Sequence, residues 1–136
     1  MRPIAIDTNA DTAFKRGDAA IVSVLQHAPI IIVCAAVLGE LLVGFAAGQR
    51  QGANRSELTK FLSVPRVKVV ASTAATADLY ALVYAALRRK GKPIPTNDLW
   101  IAASSLEHGA ALLTLDAHFQ HIDGLRTGAQ MEDFIP

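Results

Sequence analysis

The chain has 136 residues, 51% of them hydrophobic, with 13 Lys and Arg against 12 Asp and Glu. That length suits one domain with one proper core. The net charge of +1 excludes a protein whose whole surface attracts nucleic acid and leaves only local patches open.

A mean hydropathy of +0.31 is high for a soluble protein and raises the question of a membrane span. No charged residue occurs between Asp18 and Glu40, but Gln26, His27 and Pro29 interrupt that run. A spanning helix wants roughly 20 mostly apolar residues in succession. The first residues also lack the basic region, apolar stretch and small-residue cleavage site of a signal peptide. The apolarity therefore reads as a sheet buried on both faces. The single cysteine, Cys34, rules out an internal disulfide framework and fits a reducing, cytoplasmic setting, packed as a small buried hydrophobe.

In chain order, Ile4-Ala5-Ile6 is a short buried strand that stops at Asp7, and Thr8 and Asn9 are good caps for a following helix. Asn9–Lys15 and Asp18–His27 read as two helices punctuated by Gly17. Ile30–Val33 is a second strand, introduced by Pro29. Ala35–Gly48 is an apolar helix with Glu40 near its middle, and Gln51–Leu62 an amphipathic one turning Arg55, Glu57 and Lys60 outward. Val67–Val70 is a third strand.

Thr73–Arg89 is the clearest helix, with Ala77, Leu79, Leu82, Val83, Ala86 and Leu87 available to pack and Arg88-Arg89-Lys90 at its negative end before Gly91. Thr96-Asn97-Asp98 opens another, Leu99–His108, ended by Gly109. Ala111–Thr114 is a fourth strand that again runs into a carboxylate, Asp116, and the tail over Ile122–Ile135 has room for one more. Strands alternating with helices predict βαβ units: an α/β fold, a mostly parallel central sheet with helices on both faces. Right-handed crossovers put all the strand carboxyl ends, and with them Asp7 and Asp116, on one edge. In such sheets that edge is where ligands bind.

Four acids stand where a solvated surface role is not the obvious reading: Asp7, Glu40, Asp98 and Asp116. Each alone has an ordinary explanation. Asp98 suits the positive end of its helix, an effect of about 0.3–1 kcal/mol; Asp7 and Asp116 suit turns; Glu40 suits a narrow exposed stripe. Gathered at one sheet edge they would repel by about 4 kcal/mol per pair at 4 Å and an effective dielectric near 20. A divalent cation removes that penalty, and hard carboxylate ligands suit Mg²⁺ or Mn²⁺. Such an ion lowers the pKa of water and stabilises the oxygens of a phosphoryl displacement. No His/Cys spacing for zinc is present.

Four segments in order carry a resemblance over nearly the whole chain: Asp7-Thr8-Asn9 after a strand, Glu40 within Val37–Gly44, Asn97-Asp98-Leu99-Trp100-Ile101-Ala102-Ala103, and Leu113-Thr114-Leu115-Asp116-Ala117-His118-Phe119. The set resembles the motifs of PIN-domain ribonucleases, in particular the VapC-like toxins of type II toxin–antitoxin pairs. The resemblance implies a three-layer α/β/α sandwich formed by residues 1–136 and an Mg²⁺- or Mn²⁺-dependent endoribonuclease. Asp7, Glu40, Asp98 and Asp116 match the acidic site, the metal falls to Asp7, Asp98 and Asp116, and Asn9 and Thr114 match polar neighbours that orient ligands or water. It further implies RNA as substrate, a homodimer, a cognate antitoxin that holds the toxin inactive, and operator DNA contacted only through that antitoxin.

Asp11 departs from the pattern, standing where such toxins often carry an apolar or aromatic residue. The helix dipole favours a solvated first-turn acid there; the other reading adds a fifth negative charge near the metal. His108 reads as a helix C-terminal cap and Trp100 as core or groove wall; His118 and His121 follow Asp116 and read as loop packing, with an approach to substrate as the second reading. Lys15, Arg16, Arg50, Arg88, Arg89 and Lys92 are candidate phosphate contacts or ordinary solvated charges. Two other functions remain open. Asp7 as a phosphoryl-accepting nucleophile is disfavoured because Asn9 stands where a second acid is needed and no late-strand lysine follows. A catalytically silent antitoxin-binding module is disfavoured by the intact set of four acids.

Overall fold

The computed structural model describes residues 1–136. Its strands are β1 (Ile4–Ile6), β2 (Ile31–Cys34), β3 (Val67–Val70), β4 (Ala111–Leu113) and β5 (Thr127–Gly128). They form one sheet in the order β3-β2-β1-β4-β5, every neighbouring pair parallel. Six helices flank it, α1 (Thr8–Lys15), α2 (Ala19–His27), α3 (Ala35–Ala47), α4 (Gln51–Leu62), α5 (Ala74–Lys90) and α6 (Thr96–Glu107), in a three-layer α/β/α sandwich. No helix is long and apolar enough to cross a membrane.

The aliphatic runs behave as strands covered on both faces: β1, β2 and β4 are buried at every residue. The edge strand β3 is the exception, with Lys68 exposed and Val69 51% exposed. Three strand ends shift by one residue from the sequence pattern. Ile30 lies outside β2 while Cys34 lies inside it, and Thr114 follows β4. Cys34 is buried, and burial pushes its thiol pKa upward, so it is a packing residue rather than a nucleophile.

Helix α5 stops where Gly91 takes up a left-handed conformation at φ 69°, with Lys92 N–H returning to the Leu87 carbonyl at 2.9 Å. Its packing face is set differently from the sequence expectation. Leu82 is 64% exposed, whereas Thr76 is fully buried and donates to Glu107 Oε1 at 2.5 Å. Tyr80 meets Trp100 of α6 with ring centroids 4.4 Å apart, which makes Trp100 part of the α5–α6 seam.

The topology decides where a ligand sits. From β1 the chain lays β2 and then β3 to one side, crosses back through α5 and α6, and lays β4 and β5 to the other. The strand order therefore reverses between β1 and β4. Connections leave those two strands in opposite directions and open a crevice at their carboxyl ends. Pairing places Ile6 beside Leu113, so the next residues in step are Asp7 and Thr114.

Candidate active site

Asp7 is the first residue beyond β1 and only 4% exposed. It is itself the cap of α1: Oδ1 accepts from Ala10 N–H at 2.8 Å, the role that the sequence pattern gives to Thr8 and Asn9. Oδ2 accepts a short hydrogen bond from the Thr114 hydroxyl, whose oxygen in turn accepts from Asp116 N–H at 2.9 Å. One threonine thus ties the ends of β1 and β4 together and aims both acids into the crevice. Burial raises the Asp7 pKa; the Thr114 and Ala10 bonds oppose the rise, and the charges of Asp116 and Glu40 add to it.

Asp116 opens a short 3-10 turn, Ala117–His121, by accepting from His118 N–H at 2.9 Å. That cap brings the His118 ring back over the carboxylate, with Nδ1 3.1 Å from Asp116 Oδ1. Asp98, in the first turn of α6, completes a group of three: one ligand atom from each of Asp98, Asp116 and His118 lies within 4.8 Å of the others. Loop packing, the favoured sequence expectation for His118, does not describe it: its ring, 64% exposed, stands at the acidic cluster, in line with the second reading. The Asp116 turn was the available signal, since an aspartate cap draws the residue two places on towards its own carboxylate.

The charge balance there is visible in Asp98, whose pKa is pushed up to about 6. Burial is the largest cause, followed by Asp116, Glu40 and Asp7, against which only His118 pulls downward. A helix N-terminus acts the other way, but at about 0.3–1 kcal/mol it supplies less than one pKa unit. Desolvation and three neighbouring carboxylates outweigh it.

Glu40 reaches this centre from the middle of α3, half-buried, with Oε1 accepting from the Thr8 hydroxyl at 2.9 Å. Thr8 holds the fourth acid in place, a role hidden behind its apparent use as a cap. The four acids chosen from the sequence, Asp7, Glu40, Asp98 and Asp116, therefore share one electrostatic neighbourhood. Asn9 does not join them by a hydrogen bond; it is exposed on the wall of a cleft with Thr12, Arg16 and Leu115.

Asp11 overturns the solvated reading. It is 2% exposed, and its Oδ2 has no hydrogen-bond partner, although Lys15 Nζ pairs with it at 3.5 Å. That ammonium lies over the Phe45 ring, 4.6 Å from its centroid. Burial raises the Asp11 pKa against the pull of Lys15, and the acidic centre contributes nothing to the shift. Asp11 faces a cleft bounded by Leu41, Phe45 and Arg50 that none of the four acids lines. A buried pair without good hydrogen bonds is replaceable by apolar contact, so Asp11→Leu is expected to gain about 1 kcal/mol in thermal melts. Cation affinity measured by calorimetry should stay unchanged. Among the remaining histidines, His108 behaves as expected, with Nδ1 2.8 Å from the Ser104 carbonyl at the end of α6.

The family model of the PIN domain matches residues 4–125, nearly the whole chain. The chain belongs to the PIN-domain family. This PIN domain is 32% identical over 84 residues to ribonuclease VapC4 of Mycobacterium tuberculosis, the match covering 62% of this chain and 65% of that protein. Ribonuclease VapC2 of Rickettsia felis is likewise 32% identical over 84 residues, covering 62% of this chain and 61% of the relative. The matched stretches thus span somewhat less than two thirds of these relatives. Among solved structures, the VapBC2 complex of Rickettsia felis bound to a promoter DNA fragment superposes with a TM-score of 0.82 at 26% identity, covering 93% of this chain and 97% of that one. The PIN domain's sheet and flanking helices are therefore those of the VapC fold.

Proposed function

We propose that this PIN domain, residues 1–136 acting as one nuclease unit, is a divalent-cation-dependent endoribonuclease and the toxin of a toxin–antitoxin pair. The observation that carries the reading is the meeting of Asp98, Asp116 and His118, one ligand atom from each within 4.8 Å of the others, with Asp7 and Glu40 in the same electrostatic neighbourhood. Four acids held this closely, with only an exposed histidine to offset them, are a charge imbalance that a dication relieves. The donors fit: carboxylate oxygens dominate, and hard oxygen ligands favour Mg²⁺ or Mn²⁺.

Asp98 and Asp116 would hold the ion together with Asp7, the third acid that the resemblance assigns to the metal. When bound, the cation supplies acidity to a coordinated water and positive charge to the oxygens of the phosphodiester under attack. The protein's own contribution is orientation. Thr114 and the start of α1 fix both oxygens of Asp7. Thr8 fixes Oε1 of Glu40, leaving its other oxygen to order water at the rim of the cluster. Burial of Asp7 and partial burial of Asp98 keep competing water out and strengthen the local field. No side chain here forms a covalent bond to substrate.

The similarity to a VapBC complex bound to promoter DNA supports a partner antitoxin, through which operator DNA would be reached; a homodimer in the cytoplasm completes the proposal on the family resemblance. The decisive test is cleavage of single-stranded RNA by the purified protein with Mg²⁺ or Mn²⁺. Activity should vanish in excess EDTA and return when the dication is restored; cleavage that survives complete chelation overturns the reading.

A further inference from the structure

Beyond the acidic centre the carboxyl edge of the sheet carries a second feature, a cleft of about 300 Å³ on the β4–β5 side. It shares Thr114 and Asp116 with the acidic centre, so whatever fills it adjoins the scissile bond. Neither lysine nor arginine lines it, and Asp116 and Asp133 both do. A phosphate would be repelled there. The groups left free are of another kind: the Gln120 carboxamide and the Thr127 hydroxyl make no hydrogen bond within the protein. Together they offer neutral donors and acceptors side by side.

The far wall is built rather than loose. Asp133 Oδ2 accepts from Ala129 N–H at 2.9 Å and from Gln130 N–H at 3.2 Å, and Arg126 Nε donates to the Asp133 carbonyl at 2.6 Å. Gly128 lies so close to this turn that a Cβ there would stand 2.2 Å from Asp133 Cβ. Phe134 anchors the end of the turn in the core at 3% exposure. A wall held at this many points presents its polar groups in one arrangement, and preorganisation of that kind lowers the entropy lost on binding.

Leu115 forms the ridge of this cleft. It is 54% exposed and also borders the opposite cleft, the one that contains Arg16. A strand crossing the acidic centre thus meets a cation on one side of an apolar ridge and neutral hydrogen-bonding groups on the other. Unpaired RNA bases are read by such edge hydrogen bonds and by apolar faces against which they rest.

We infer that the Gln120–Thr127 cleft is a nucleobase subsite, reading the base next to the cleaved phosphodiester and setting where this protein cuts. The inference rests on the nuclease reading and deepens it, because the substrate is then single-stranded RNA with one preferred base beside the cut. Leu115 is the face on which that base lies, and Gln120 and Thr127 address its edge.

The test uses RNA oligonucleotides randomised around a cleavage site, and a second set with an abasic nucleotide next to the cut. The parent is expected to show a base preference at one flanking position and to cut the abasic RNA about tenfold more slowly, the fold-change of one or two hydrogen bonds. Gln120→Ala combined with Thr127→Val should flatten that preference and cut the intact and abasic RNAs at similar rates. Gln120 is exposed and Thr127 partly so, and matching melting temperatures confirm that the fold survives. A variant that keeps the parent's preference, or a parent indifferent to the abasic position, overturns the subsite alone. A parent that cleaves no RNA with Mg²⁺ or Mn²⁺ overturns the nuclease reading and the subsite with it.

Discussion

Asp98→Asn is expected to melt at a higher temperature than the parent in EDTA at neutral pH, yet to cleave RNA at least about a hundredfold more slowly. Both effects come from one charge. In the metal-free protein the carboxylate is disfavoured by burial and by Asp116, Glu40 and Asp7, as its pKa of about 6 records. Asparagine keeps the shape and removes the repulsion. Asp98 is far from fully buried, so the gain is discounted to roughly 1 kcal/mol, or about 2–6 °C in a domain of this size. On the proposed reading the same substitution also removes an anionic ligand of a dication that stabilises transition-state charge by several kcal/mol, and each 1.4 kcal/mol is a factor of ten.

The pH dependence follows with a definite sign. A carboxyl whose folded pKa lies above its ordinary value of 3.8 keeps its proton in the native state while the unfolded chain has lost it. Between about pH 4 and pH 6 the native protein thus binds more protons, and stability falls as pH rises; above that window the penalty is complete. Asp7 and Asp11, both raised by burial, act in the same direction. Melting curves in EDTA across this range should fall less steeply for Asp98→Asn than for the parent. Added Mg²⁺ should lift the parent far more than the variant, since a ligand that binds only the folded state stabilises it by mass action. Equal slopes with equal Mg²⁺ responses would mean that Asp98 is not part of a cation site.

Such a trade between stability and function explains why the acids were legible in the sequence. Asp7 follows an aliphatic strand, Glu40 interrupts an apolar helix and Asp98 is followed by Leu99-Trp100-Ile101. In each case a charge occupies a place where local preference asks for something cheaper to bury, and such conflicts concentrate at functional sites. The strands were legible for the complementary reason: β-branched and aliphatic runs have few other uses in a short chain. Contacts made by the tertiary fold were not legible. Asp11 looks like a first-turn acid until α3 and α4 close over it. The exposure of Leu82 and the burial of Thr76 are set by where α6 crosses α5, which periodicity within α5 does not encode. Strand β5 has only two residues, too few to show an alternation. The roles of Thr8 and His118 arise from hydrogen bonds fixed only once neighbouring elements dock.

The sharpest consequence of that docking concerns Thr114. Its hydroxyl is 107 residues from Asp7 in the chain, yet it holds Asp7 Oδ2 and the backbone N–H of Asp116 at once. Thr114→Val keeps the shape of the side chain and removes both bonds. A carboxylate oxygen and an amide are then left unpaired at the edge of the core, each a loss of about 1–3 kcal/mol, and the melting temperature should drop accordingly. If Asp7 holds the proposed ion, cleavage should fall by about 10–100-fold, the usual consequence of removing a group that orients a metal ligand. Because the Thr114 bond lowers the Asp7 pKa, the valine variant should also move the acid limb of its cleavage profile to higher pH, which a purely structural loss would not do. Thr114→Ser, which retains the hydroxyl and lacks only a methyl group, should recover most of the activity and the parent's pH profile. A serine variant as impaired as valine, or a valine variant with the parent's profile, would show that Thr114 packs the sheet without orienting the acids.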